Sequence, residues 1–277
     1  MRNSFGDSLR LPSSKNSQSF EDIINSIESR SSEKHPIPSC LFSSKRLLLV
    51  IAHPDDETMF FSPLLTSLER EGVRVFLLCM SSGDFYGEGS VRRDELPRAA
   101  SRLGIDPCDV TIMDLDVLKD GDVWDPSIIL PIIIRHSLSL DVDVVVSFDD
   151  LGISGHQNHT ACSLALKDAR DVLPDSIELL RLYSPSLFRK YSSITAFGLS
   201  MYRDSCTLRV TARPCDILSS WKAMREHRSQ FVWFRYLYML TSSLLLINTF
   251  TRVERRRRQE VYDDYHHIER QRSSTSL

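Results

Sequence analysis

A three-layer α/β fold is what this sequence predicts, and three observations carry the prediction. From Lys45 onward, strand-like apolar runs alternate with stretches of helical periodicity. The alternation leaves long connections between successive strands, as right-handed crossovers of a mainly parallel sheet require. Two of the apolar runs end in clusters of His and Asp, and ligands of open α/β sheets bind beyond the carboxyl ends of strands. Together these give a Rossmann-like arrangement with helices on both faces of the sheet. No Gly-x-Gly-x-x-Gly follows the first strand, so a dinucleotide site is not expected.

Taken in order, residues 46–51 (Arg46, then Leu47 through Ile51) form the first strand. Residues 57–70 read as a helix that turns Phe60, Phe61, Leu64, Leu65 and Leu68 inward. Residues 73–79 are a second strand, and 91–103 a second helix that stops at Gly104, a favoured C-terminal residue. A short third strand is expected over 110–113, a third helix over 128–138, a fourth strand over 142–148, a fourth helix over 159–171 and a fifth strand over 178–183.

Residues 221–250 are harder. The run from Phe231 to Leu240 is aromatic almost all round and carries Arg235. An ordinary core helix is the plain reading, and Arg235, Thr241, Ser242, Ser243 and Asn248 argue against a membrane span of ~20 apolar residues. An interfacial helix anchored by Trp and Tyr, with Arg255 to Arg258 on anionic headgroups, fits the pattern better. Three regions are therefore expected: a flexible Ser-rich leader over 1–44 with a short helix around Phe20 to Ile27, a folded domain over 45–250, and a charged, disordered tail over 251–277.

Composition bounds the function. Hydrophobic residues make up 42% of the 277 positions and charged residues 26%, as in a soluble globular protein. A formal charge of −3 offers no case for nucleic-acid binding. The six cysteines (Cys40, Cys79, Cys108, Cys162, Cys206, Cys215) show no Cys-x-x-Cys pairing and read as reduced thiols facing the cytosol. No signal peptide is visible.

The chemistry is concentrated in two stretches. Ala52-His53-Pro54-Asp55-Asp56-Glu57 follows the first strand, and Asp149-Asp150-Leu151-Gly152-Ile153-Ser154-Gly155-His156-Gln157-Asn158-His159 follows the fourth. Either alone reads equally well as a polar turn. Two neighbouring strand ends that both carry His and Asp point instead to a divalent-metal site. Spacing does not say which of Asp55 and Asp56 would bind the ion.

These motifs, with Ser81-Ser82-Gly83-Asp84, Arg92-Arg93-Asp94-Glu95-Leu96, Lys222 to Gln230 and Trp233-Phe234-Arg235, resemble the PIG-L family of metal-dependent de-N-acetylases over roughly residues 45–250. The resemblance implies that His53, Asp56 and His159 hold a divalent ion, Zn²⁺ foremost, and that Asp55 is the general base for the attacking water. It makes His156 a proton donor or oxyanion stabiliser, and Arg92 a substrate contact. Asp84 and His227 are further substrate-binding candidates, on sugar hydroxyls and at the rim, and Glu57 an accepting or capping group. The C-terminal block resembles the family's eukaryotic membrane-associated branch. It implies hydrolysis of the N-acetyl group of N-acetylglucosaminyl-phosphatidylinositol at the cytoplasmic face of the endoplasmic reticulum membrane, with a membrane surface as partner. Members of that branch often begin with a membrane-spanning helix. None is read here, so attachment is expected through the aromatic region or a partner protein. A deacetylase of a soluble GlcNAc conjugate and a silent membrane-associated scaffold are the competing readings.

Overall fold

The computed structural model describes residues 45–186, 190–191 and 208–255. The expected leader helix around Phe20 to Ile27 and the tail beyond position 255 lie outside the described residues. Among the described residues, seven strands form one sheet in the order β3-β2-β1-β4-β5-β7-β6. Strands β1 (Arg46–Ile51), β2 (Arg74–Cys79), β3 (Val110–Ile112), β4 (Val144–Phe148) and β5 (Glu178–Leu182) run parallel. Strands β6 (Leu208–Thr211) and β7 (Ile247–Arg252) add an antiparallel edge.

The expected helices form at α1 (Asp56–Arg70), α2 (Gly89–Ser101), α3 (Pro126–Ser139) and α5 (Gln157–Val172), with a single turn α4 (Gly152–Gly155) before the last. α3 packs against α5, while α1 and α2 pack against α6 (Pro214–Glu226), which gives the three layers. Leu47 through Ile51 and Val144 through Phe148 are buried, as strands covered on both faces must be.

The C-terminal region differs from the expectation. The helix α7 spans only Trp233–Thr241, and a 3₁₀ turn then leads into β7, which runs two residues past position 250. Among the described residues, no helix is long and apolar enough to cross a membrane. Arg255 folds back onto the protein, with Nη2 donating to the Leu173 carbonyl at 3.2 Å and lying 3.0 Å from Asp175.

Helix α1 explains why the C-terminal layer is needed. Every residue from Asp56 to Leu68 is buried, and Pro63 lies inside the helix, where it cannot donate to the Met59 carbonyl. The Tyr238 hydroxyl of α7 donates to that carbonyl instead, at 2.9 Å. One residue on, the Asn248 amide of β7 accepts from Leu64 N–H at 3.2 Å and donates to the Phe60 carbonyl at 2.9 Å. Two buried side chains from the end of the chain thus satisfy the backbone that proline disturbs.

Candidate metal centre

The site lies beyond the carboxyl ends of β1 and β4. These adjacent strands are where the sheet reverses its order, the switch point at which α/β sheets open a crevice. The turn after β1 carries His53, Asp55 and Asp56. Asp55 sits at φ 113°, a left-handed conformation unusual for a non-glycine residue. Glu57 Oε2 accepts from the Asp55 amide at 3.1 Å, and Arg92 Nη2 donates to the Pro54 carbonyl at 2.6 Å. Asp56 Oδ2 accepts from the backbone N–H groups of Ala52 and His53 at 3.1 and 2.8 Å. The strain is held by contacts from three sides.

His53, His156 and His159 each offer a ring nitrogen such that all three lie within 4.8 Å of one another. Asp56 abuts this cluster, with Oδ1 3.2 Å from His159 Nε2 and Oδ2 3.9 Å from His53 Nδ1. His159 Nδ1 lies 3.0 Å from the Gly152 carbonyl, an obligate acceptor, so that nitrogen carries the hydrogen. Its buried Nε2 makes no hydrogen bond and faces Asp56 Oδ1, so a neutral ring in that tautomer turns a lone pair toward the carboxylate. Burial would raise the Asp56 pKa, but His159 and His53 outweigh it and hold the carboxyl well below the usual range. Two electron-rich atoms facing each other inside a buried pocket need a proton or a cation between them. With two further imidazoles at hand, the donor set suits a divalent metal ion. The Phe148 ring stacks on His159 at 4.0 Å, which fixes the imidazole plane from the apolar side.

Asp55 and His156 flank the cluster. Asp55 Oδ2 lies 2.8 Å from Arg235 Nη2 yet accepts no hydrogen bond, and its Oδ1 lies 3.8 Å from Arg92. Burial raises the Asp55 pKa above the usual carboxylate range, with Arg235 and Arg92 offsetting part of the rise. His156 stands at the start of α5 but caps no backbone group, and its ring stacks on His159 at 4.5 Å. Burial, with His159 and His53 nearby, pushes its pKa down to about 4.

The other expected site residues sit differently. Arg92 is 6% exposed and lines the cavity, but both its Nη atoms donate to carbonyls, of Gly83 at 2.8 Å and of Pro54. Gly83 (φ 70°) permits this, because a Cβ there would overlap the guanidinium. Asp84 is exposed and absent from the cavity wall; its Oδ1 accepts from the Gly89 amide at 2.6 Å as α2 begins. His227 is not at the rim. It is 0% exposed, with Nε2 2.6 Å from Glu57 Oε1, and supports the turn from below. Asp149 and Asp150 also turn away, the first accepting from Ser184 and the second pairing with Arg181 and Lys167.

A cavity of about 840 Å³ opens over the cluster. The PIG-L profile, described as GlcNAc-PI de-N-acetylase, matches residues 48–170. The chain is 39% identical over 208 residues to the N-acetylglucosaminyl-phosphatidylinositol de-N-acetylase of Bos taurus, covering 74% of this chain and 82% of that relative. The chain belongs to the PIG-L family. A probable enzyme of the same name from Schizosaccharomyces pombe is 36% identical, with 74% and 86% covered. Among solved structures, the A40926 pseudoaglycone deacetylase Dbv21 (TM-score 0.57, 17% identity, 76% of this chain and 98% of that one) shares the fold. So does the N,N'-diacetylchitobiose deacetylase of Pyrococcus horikoshii (TM-score 0.55, 15% identity, 87% and 94% covered).

This PIG-L chain brings to its site three residues to which the sequence had given no role, Asp120, Asn158 and Lys190, and gives Arg235 a partner in Asp55. Asp120 reaches from the loop before α3 to put Oδ1 3.2 Å from His53 Nε2, and Asn158 Nδ2 approaches the same nitrogen at 3.2 Å. Arg235 and Lys190 line the cavity from the C-terminal side. Asn158 lies inside a quoted motif. Asp120 carries no signal, since it follows no strand and belongs to no periodic pattern.

Proposed function

We propose that this chain hydrolyses the acetamide of N-acetylglucosaminyl-phosphatidylinositol, giving glucosaminyl-phosphatidylinositol and acetate, the second step of GPI-anchor biosynthesis. The observation that carries the reading is the convergence of His53, Asp55, Asp56, His156 and His159 on one cavity in a chain so similar to enzymes of that name. His53, Asp56 and His159 would hold the metal, with Zn²⁺ the ion their chemistry favours. Such an ion, when bound, supplies Lewis acidity and brings the pKa of water to about 7.

The remaining work falls to the chain's own groups. Asp55 Oδ2, close to Arg235 but not hydrogen-bonded, accepts the proton of the attacking water. The raised Asp55 pKa makes that transfer easier than it would be for an ordinary carboxylate. His156, kept mostly neutral at neutral pH, donates a ring N–H to the oxygen on which negative charge develops. The Asp55 carboxylic acid then returns its proton to the departing amine.

Purified protein incubated with the glycolipid in detergent is expected to release acetate, to stop when a chelator is added, and to recover with Zn²⁺. No acetate in the presence of metal would overturn the assignment. His159→Ala is expected to lose most of its bound metal by elemental analysis; equal metal in both proteins would remove His159 from the ligand set.

The lipid is met at an apolar rim. Phe85 and Tyr86, after β2, and Phe234 and Leu237, on α7, are exposed by half or more or nearly so and all line the cavity, while Trp233 (76% exposed) and Leu240 lie beside them. This rim would rest on the cytoplasmic face of the endoplasmic reticulum membrane and admit the headgroup without full extraction of the acyl chains. Each large side chain placed in lipid contributes on the order of 1.5–3 kcal/mol. Trp233→Ser with Phe234→Ser is therefore expected to weaken binding to phosphatidylinositol-containing vesicles by more than about tenfold. Unchanged cosedimentation would sink the interfacial role.

A further inference from the structure

We propose that Ser184 is a positioning residue for His159, acting through the peptide bond between Gly152 and Ile153. The proposal rests on the assignment of His159 to the metal and adds the group that aims its ring. Ser184 follows β5 and is 4% exposed. Its Oγ accepts from the Ile153 N–H at 2.8 Å. The carbonyl at the other end of that same peptide, Gly152 O, accepts from His159 Nδ1 at 3.0 Å. A peptide unit is planar and rigid, so a grip on its N–H fixes where its carbonyl points.

The grip is needed because this peptide is held against strain. Ile153 has φ 50°, in the left-handed region, where a β-branched residue is a true outlier. That torsion flanks the peptide in question, so its relaxation would rotate the Gly152 carbonyl away from His159. Conformations of this kind persist only where the surroundings over-determine them. Here the Ile153 side chain is buried in the cavity wall and its N–H is tied to Ser184. Gly152 (φ 54°) leaves no room for adjustment, since a Cβ there would lie 2.8 Å from Thr160 Oγ1.

Asp149 stands behind the serine. Its Oδ2 accepts from the Ser184 amide at 2.6 Å and its Oδ1 from the Ser184 hydroxyl. The single hydroxyl hydrogen is thereby committed to the carboxylate, which leaves the oxygen's lone pairs for Ile153. Asp149, which turns away from the imidazoles, thus reaches them through Ser184 and one peptide unit. What the relay secures is the His159 tautomer. With the hydrogen kept on Nδ1, Nε2 is left as a donor atom for a cation, 3.2 Å from Asp56 Oδ1. Outer hydrogen bonds of this type orient the histidines of metal sites.

The test uses the full chain, labelled with ¹⁵N-histidine and loaded with Zn²⁺, and a parallel titration of Zn²⁺ against a competing chelator. The His159 ring is assigned by its absence from the spectrum of His159→Ala. In wild type it is expected to carry an Nδ1–H that exchanges slowly with water. Ser184→Ala is expected to lose that protection and to bind Zn²⁺ about 10–100-fold more weakly. Ser184→Cys, nearly the same in shape but a poor acceptor, should shift the same way, and it guards against an alanine variant that does not fold. Ser184→Thr keeps the hydroxyl and should hold most of the affinity. A wild-type ring without a hydrogen on Nδ1 would overturn the relay. So would unchanged protection and Zn²⁺ affinity in Ser184→Ala or Ser184→Cys. An equal loss in Ser184→Thr would assign the effect to packing and overturn it too. His159→Ala that keeps its metal would remove the ligand assignment itself. His159→Ala that loses metal beside a Ser184→Ala that keeps it would refute the relay alone.

Discussion

Asp55→Asn is expected to lower kcat for acetate release by about 10²–10⁴-fold, the usual range for loss of a positioned base. The amide matches the carboxylate in shape, and the backbone contacts that hold this turn do not involve its side chain: Glu57 accepts from the Asp55 amide and Arg92 donates to Pro54. Metal content and the thermal midpoint should therefore stay close to wild type. The carboxamide simply cannot take a proton at the atom facing the cavity. A variant that retains more than a tenth of the wild-type rate with normal metal would show that the proton goes elsewhere.

His227→Leu is expected to destabilise the fold by about 3–5 kcal/mol, because it leaves the Glu57 carboxylate buried without its charged partner. Both side chains are 0% exposed and meet at 2.6 Å. Thr58 Oγ1 and the Asp55 amide still donate to Glu57, so the loss falls on the charge. Adding Glu57→Gln should restore part of the stability, since a neutral amide no longer needs a cation.

The pair also carries a pH signature. Burial alone would lower the His227 pKa, but the Glu57 charge and hydrogen bond outweigh it, so the folded value is raised. Stability from the pair is thus complete below the free imidazole value and lost as pH rises through the raised one. Urea titrations at stepped pH should show the gap between wild type and His227→Leu narrowing in that direction. A gap that is constant or widens would mean that His227 is neutral in the fold.

Much of this was legible because periodicity and burial act locally. Residues 46–51 read as a strand and form one, since an unbroken apolar run has no amphipathic alternative in that setting. The turn after it could be recognised because His and Asp packed so densely behind a buried strand have few other uses. The β4 end was only half readable. Its histidines face the cluster, while Asp149 and Asp150 satisfy Ser184, Arg181 and Lys167. Side-chain direction at a strand end depends on how the loop leaves, and spacing does not encode that.

The C-terminal third hid more. Ile247 to Arg252 merged with the apolar run before it, so β7 could not be told from a helix tail, and Arg235 looked like a misfit among aromatics. Its partner, Asp55, lies 180 positions earlier in the chain. His227 follows the same rule, since its role appears only once α6 is laid against α1. Long-range pairings of single charged groups leave no local trace.

The proline gap in α1 has a consequence for anyone trimming this protein. A fragment confined to residues 48–170 would retain every imidazole and carboxylate of the cluster, yet Tyr238 and Asn248 would be missing, and two carbonyls of the central helix would lose their plugs. The stretch most diagnostic of kinship is therefore shorter than the smallest piece able to work. Substitutions far along the chain, remote in sequence from any reacting group, can be expected to loosen the reaction centre.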